Sequence, residues 1–298
     1  MTNKTFSVGS LKLKIVDVLI IATLSFFSII AIIFSWKIDG WWILVSKNVF
    51  VGIIFLVFLK FSELAQKKFL KFFLRVAAVT LTYAYLFGAV DKLQLIIHNN
   101  WLDDSILSLE QSIFGVQPIL WLQPYISKPL TEWMMFSYVA YVPMYPILCG
   151  IIFYKHGELG MEDYFFTLGF TNVLCDIGFI LFPVASPMYH PIKELFTVPL
   201  DGWVWTYLGE LMRKYLHFAG GSIPSPHAAA GTIMWAMAYR YYRIGFWVLA
   251  PIMISLYIST FYGRYHYVTD AVVGILVALI ALKVSPFLMK WWDELISK

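Results

Sequence analysis

The chain has 298 residues, of which 60% are hydrophobic, 18% aromatic and only 13% charged. A soluble domain carries about 25% charged residues, so this composition excludes a water-soluble globular protein and implies a chain solvated by lipid. The formal charge of +4 rests on 22 lysines and arginines scattered at the ends of apolar runs, which is membrane punctuation and excludes a nucleic-acid-binding stripe.

Runs of about 20 apolar residues, the length a helix needs to cross a bilayer, predict eight spans at 15–36, 43–60, 70–90, 131–154, 162–184, 225–243, 245–263 and 267–285. No strand alternation or internal repeat competes with them, so the predicted fold is all-α, a polytopic integral membrane protein. The first run is too long for a signal-peptide core and lacks a small-residue cleavage site, so it is expected to stay as a span. Residues 1–66 then form an N-terminal two-helix membrane addition to a six-span membrane domain, 67–298.

Between spans, 91–130 and 185–224 mix aromatic and charged residues, as in Trp101-Leu102-Asp103-Asp104 and Trp203-Val204-Trp205-Thr206-Tyr207, and are expected to lie in the interface plane. Cys149 and Cys175 fall inside apolar runs and read as packing residues. Asp176 lies deep in the fifth span, where a carboxylate is costly enough to be a functional candidate, with structural pairing as the alternative. Counted from a cytoplasmic N-terminus, the outer segments hold about half as many cations as the inner ones. Both termini are therefore expected in the cytoplasm, with 185–224 and 264–266 sharing the outer face.

Three stretches concentrate polar residues. Leu181-Phe182-Pro183-Val184-Ala185-Ser186-Pro187-Met188-Tyr189-His190 reads alone as a Pro-terminated helix end. Gly220-Gly221-Ser222-Ile223-Pro224-Ser225-Pro226-His227 opens the sixth span with helix-start signals, Ser near the N-cap and Pro in the first turn. A helix start of this kind presents free N–H groups and the positive dipole end to a phosphate. Arg264-Tyr265-His266-Tyr267-Val268-Thr269-Asp270 leads into the eighth, with His266 and Asp270 four apart and so on one helical face. A carboxylate that holds one imidazole nitrogen leaves the other as a nucleophile. Taken alone, such a His–Asp pair also serves to close a helix start, Arg264 also reads as a snorkelling interface residue, and Tyr189 and Tyr265 as interface aromatics. His190 and His217 have no pattern behind them and are expected at the surface.

Together these stretches resemble the membrane-bound type 2 phosphatidic acid phosphatase superfamily, and within it the inositol phosphorylceramide synthase-like branch. There a Gly-Ser-hydrophobic-Pro-Ser-x-His motif is followed about 40 residues later by Arg-Tyr-His-Tyr-x-x-Asp. The resemblance is sharp over 181–275 and only topological over the first 90 residues. It implies a six-helix catalytic core, His266 as a nucleophile that becomes phosphohistidine, Asp270 as its orienting acid and His227 as acid-base residue. It also implies that Arg264, Ser225 and Ser222 bind the phosphate and that no metal or other cofactor is needed; no metal-ligand cluster is visible in the sequence. Tyr189 and Asp176 are the weaker substrate-contact candidates.

The expected partners are a membrane lipid phosphate or phosphodiester, the surrounding bilayer and an alcohol acceptor, with no nucleic acid. Departures bear on the substrate. The superfamily's Lys-x6-Arg-Pro motif is absent, Thr260 stands where the wider family has Arg, Pro226 replaces a common Gly, and Met188 stands where the branch often has Trp. Water as acceptor makes the chain a lipid phosphatase and a headgroup alcohol makes it a phosphotransferase. A transporter or scaffold that kept the fold without the chemistry is the remaining alternative.

Overall fold

The computed structural model describes residues 4–9 and 11–297. Ten helices follow a short hairpin of two antiparallel strands, β1 (Phe6–Val8) and β2 (Leu11–Leu13). The hairpin was not expected from the sequence. Its strands have three residues each, too few to establish an alternation.

The chain continues through α1 (Ile15–Ile33), α2 (Trp41–Leu64) and α3 (Lys68–Ala89), then two short surface helices, α4 (Asp103–Phe114) and α5 (Pro118–Trp121). After them come α6 (Lys128–Leu181), α7 (Val204–Leu216), α8 (Pro226–Tyr241), α9 (Arg243–Tyr262) and α10 (Val268–Leu295). All eight predicted runs are helical, and among the described residues six helices are long and apolar enough to cross a membrane. The difference in number has two causes. Predicted spans four and five belong to the 54-residue α6, whose only non-helical backbone is Gly157, at φ 68° and ψ −158°. A glycine reaches that conformation without steric penalty, so the chain reverses there and α6 is two antiparallel legs. Predicted span six is α8, whose 16 residues rise only about 24 Å.

The shortness of α8 fits its place. It packs against both legs' helix α6 and against α9 and α10, and every residue from Ala228 to Met234 is buried. Helices in lipid gain little from hydrophobic contact with one another and associate by close packing, for which the small residues of Ala228-Ala229-Ala230-Gly231 are suited. Multi-pass helices alternate direction, which sorts their ends. The starts of α1 and α3, the Gly157 reversal, the end of α8 and the end of α10 share one end of the bundle. Contacts there include Lys14 Nζ to Glu158 at 3.2 Å, Arg240 to Asp163 at 2.7 Å and Trp292 Nε1 to the Lys4 carbonyl at 3.2 Å. At the other end gather the end of α3, the end of α6, and the starts of α8 and α10. Gln94 Oε1 accepts from Gly221 N there at 2.6 Å, and Asp270 O accepts from Ser225 N at 2.8 Å.

The buried charges where α1, α3 and α6 meet form a paired cluster. Arg75 on α3 bonds Asp17 on α1 and reaches both oxygens of Glu162 on α6, at 3.1 and 2.9 Å.

Candidate active site

The site is assembled at the second end from three loops, each fixed by close backbone approach. The 220–225 loop lies between two glycines. A Cβ on Gly178 of α6 would stand 2.3 Å from Pro224 Cδ, and one on Gly274 of α10 would stand 2.4 Å from the Ser225 carbonyl oxygen. Ser225 caps α8 by accepting from Ala228 N at 3.4 Å, with Pro226 as the first helical residue, as the sequence predicts. The 263–267 turn is held from Thr260, whose carbonyl accepts from the N–H groups of both Tyr265 and His266 at 3.0 Å.

His266 is buried, and its Nδ1 lies 3.0 Å from the Ser222 carbonyl, 3.3 Å from Ser222 Oγ and 3.4 Å from Asp270 Oδ2. Asp270 Oδ2 in turn accepts from Ser222 Oγ at 2.6 Å and from Tyr267 N at 2.9 Å. The sequence placed His266 and Asp270 on one helical face. The structure instead starts α10 at Val268, with Tyr267 as N-cap and Asp270 closing a capping box. His266 therefore precedes the helix and meets the carboxylate through the turn, with Ser222 bridging the two. Since a carbonyl can only accept, Nδ1 carries the proton, and Nε2 keeps its lone pair, with no hydrogen-bond partner among the described residues.

His227 faces this imidazole, with ring centroids 5.6 Å apart at 61°. It stacks on Tyr138 at 4.5 Å and packs against Tyr141 at 4.9 Å, and its Nδ1 is buried without a partner. The other face of Tyr138 meets Tyr265 at 4.3 Å. His217, expected at the surface, belongs to the same wall: its Nε2 is 3.0 Å from Tyr138 Oη, and its ring lies parallel to His227 with centroids 6.4 Å apart. Burial first, then the nearby His266 and Arg213, pull His217 from the ordinary imidazole value of 6.5 down to about 4, so it is neutral near pH 7.

Arg264 adopts φ 63° and lies over the Phe196 ring at 4.3 Å while donating to the Val198 carbonyl. Its Nε is buried without a partner, and burial pulls the guanidinium below its ordinary range; arginine stays charged regardless. Tyr189 is exposed on the 186–190 turn, and Asp176 is buried in the second leg of α6. Neither makes a hydrogen bond to the histidines. His190 accepts from Ile192 N at 3.2 Å and sits 3.2 Å from Asp104, which makes it a turn-forming residue.

Residues that the sequence did not single out support these loops. Asp103, at the start of α4, accepts from Ala185 N at 2.7 Å, Ser186 N at 3.1 Å and Tyr267 Oη at 2.9 Å. Glu110, on the same helix, accepts from Thr269 N at 2.8 Å at the start of α10. Both carboxylates are buried, and burial pushes both carboxyls above their ordinary values. The mix of aromatic and charged residues in 91–130, with Asp103-Asp104 in it, was the sequence signal, but nothing in it identified the partners. No group of three or more metal-ligating side chains occurs among the described residues.

A family model described as the PAP2 superfamily matches residues 104–284. That range contains every histidine, serine and carboxylate of the site except Asp103. No curated protein and no solved structure matches the chain.

Proposed function

From the premise that the chain belongs to the PAP2 superfamily, whose activity is of phosphatase type, we propose that it transfers phosphoryl-type groups of membrane lipids through a phosphohistidine at His266. The observation that carries this reading is the tautomer of His266. With Nδ1 bound to the Ser222 carbonyl at 3.0 Å, the nucleophilic lone pair is on Nε2, and the second histidine, His227, lies beside the ring.

In the first displacement, Nε2 attacks phosphorus, a P–N bond forms, the P–O bond to the leaving group breaks, and His227 gives that oxygen a proton. Burial and the nearby His266 and His217 disfavour the imidazolium that His227 needs for this role, and the Tyr138 face at 4.5 Å opposes them by cation–π attraction. In the second, the acceptor O–H gives its proton back to His227, its oxygen attacks phosphorus and the P–N bond breaks. Arg264, with its unpartnered Nε, and the start of α8 at Ser225 neutralise charge on the phosphoryl oxygens. Ser222 acts on His266 through Asp270 as well as beside the phosphate. The chemistry requires no metal.

Water as acceptor gives a lipid phosphatase. An alcohol gives an inositol phosphorylceramide synthase-like phosphotransferase, and one observation favours it: Tyr138, Tyr141 and His217 lie against His227, with Tyr265 stacked behind Tyr138, an aromatic surface that restricts water at the residue that activates the acceptor. The site faces the outer leaflet, both termini face the cytoplasm, and the lipid enters sideways from the bilayer.

His266→Ala is expected to abolish turnover of labelled lipid phosphates and phosphodiesters in purified folded protein, and wild type is expected to yield an acid-labile, alkali-stable phosphoenzyme. Turnover retained in the variant would end the assignment. Adding candidate alcohols to the same assay separates the two acceptors: phosphate release that no alcohol diverts counts against the transferase.

A further inference from the structure

At the end of the bundle opposite the histidines, a cavity of about 300 Å³ opens between α1, α2, α3 and the Gly157 reversal of α6. It is independent of the proposed reaction. Five cations line it, namely Lys12, Lys14, Lys68, Lys71 and Arg75. Their carboxylate partners do not use them all. Lys14 and Lys71 bond Glu158, Lys14 also bonds Glu162, and Arg75 bonds Asp17 and Glu162. Glu63 pairs with Lys60 from outside the lining and accepts from the Lys12 backbone N–H, not its ammonium, at 2.9 Å. Among the described residues neither Lys12 nor Lys68 has a carboxylate within ion-pair distance, and both are exposed. Lys68 Nζ instead lies 5.4 Å from the centre of the Phe153 ring.

The start of α3 adds to this surplus. Its N-cap, Lys67, supplies no side-chain acceptor, and its first-turn residues Lys68 and Lys71 line the cavity, so the positive end of the helix dipole adjoins it. Beside it, Leu64, Phe69 and Phe73 are exposed, on helices that otherwise meet lipid. Two unpaired lysines, a positive helix end and an apolar flank form a chemically matched set for a phosphate anion attached to acyl chains.

We propose that this cavity binds the phosphate of an anionic membrane lipid from the leaflet opposite the active site, with Lys12 and Lys68 as its principal charge contacts. A free phosphate would offer the same anion without the chains.

The test uses the purified full-length protein and native mass spectrometry with phosphatidylglycerol, phosphatidylcholine and inorganic phosphate as separate probes. Lys12→Ala/Lys68→Ala is compared with wild type and with Lys283→Ala/Lys290→Ala, which removes two cations from α10. The expected result is a preference for phosphatidylglycerol that weakens about thirtyfold in the Lys12/Lys68 variant and is kept in the α10 variant. Inorganic phosphate that binds wild type but not the Lys12/Lys68 variant, with no lipid preference, would support the anion site and assign it a soluble source. Binding of both anions unchanged by Lys12→Ala/Lys68→Ala, or weakened equally by the α10 variant, would overturn the proposal.

Discussion

At the scale of single residues, Ser222 shows how a motif position acquires a role that spacing does not reveal. Its carbonyl fixes the His266 tautomer and its hydroxyl bonds Asp270 at 2.6 Å. Ser222→Ala keeps the first contact and loses the second. A hydrogen bond to a charged group contributes roughly 1.5–3 kcal/mol, so kcat is expected to fall by about one to two orders of magnitude with KM little changed. A loss confined to KM would mean that Ser222 serves substrate binding alone.

His217 had no motif around it, because its partner Tyr138 is 79 positions away in sequence and the contact exists only after folding. Its pKa of about 4 against an ordinary 6.5 has a sign that can be measured. Below 6.5 the unfolded chain takes up the proton while the folded chain does not until about 4. Stability is therefore undiminished above pH 6.5, falls as the pH drops from 6.5 to 4, and levels off below 4, a loss of at most about 3 kcal/mol from this group. His217→Gln is expected to flatten the melting temperature against pH over that window. Profiles that stay parallel to wild type would refute the burial of a neutral imidazole.

At the scale of elements, the apolar runs were legible because hydropathy follows directly from residue type, and α8 was legible at its start because Ser225 and Pro226 are local signals. The reversal between predicted spans four and five was legible as the polar gap 155–161, but not that Gly157 alone departs from helical backbone there, since a glycine does not declare its φ. The role of α4 was illegible for another reason. Asp103 and Glu110 look like surface acids of an interfacial helix, and only the folded contacts show that they accept from the 185–186 backbone and from the start of α10. Asp103→Ala leaves two buried N–H groups and the Tyr267 hydroxyl without their acceptor. At roughly 1–3 kcal/mol for each group left unsatisfied, it is expected to lower the melting temperature clearly and reduce kcat. Glu110→Gln keeps an acceptor oxygen and loses only charge near the helix dipole, for a cost of up to about 1 kcal/mol. Equal melting temperatures for the two variants would show that α4 does not organise the site.

At the scale of the whole molecule, the antiparallel legs separate two chemistries. The histidines lie at one end, whereas the basic cavity and the contacts made by both terminal segments lie at the other. Native cysteines are buried at Cys149 and Cys175, so single introduced cysteines can report each end without background. On the orientation proposed from the cation distribution, with the cavity end in the cytoplasm, the lipid alcohol that leaves in the first displacement stays in the outer leaflet, and a phosphate freed by water is released outside. In sealed right-side-out vesicles, Lys214→Cys, on α7 at the histidine end, is expected to react with a membrane-impermeant maleimide. Lys290→Cys, near the end of α10, is expected to react only after permeabilisation. The reverse pattern would place the histidines on the cytoplasmic face and require a donor and an acceptor drawn from the inner leaflet and the cytoplasm.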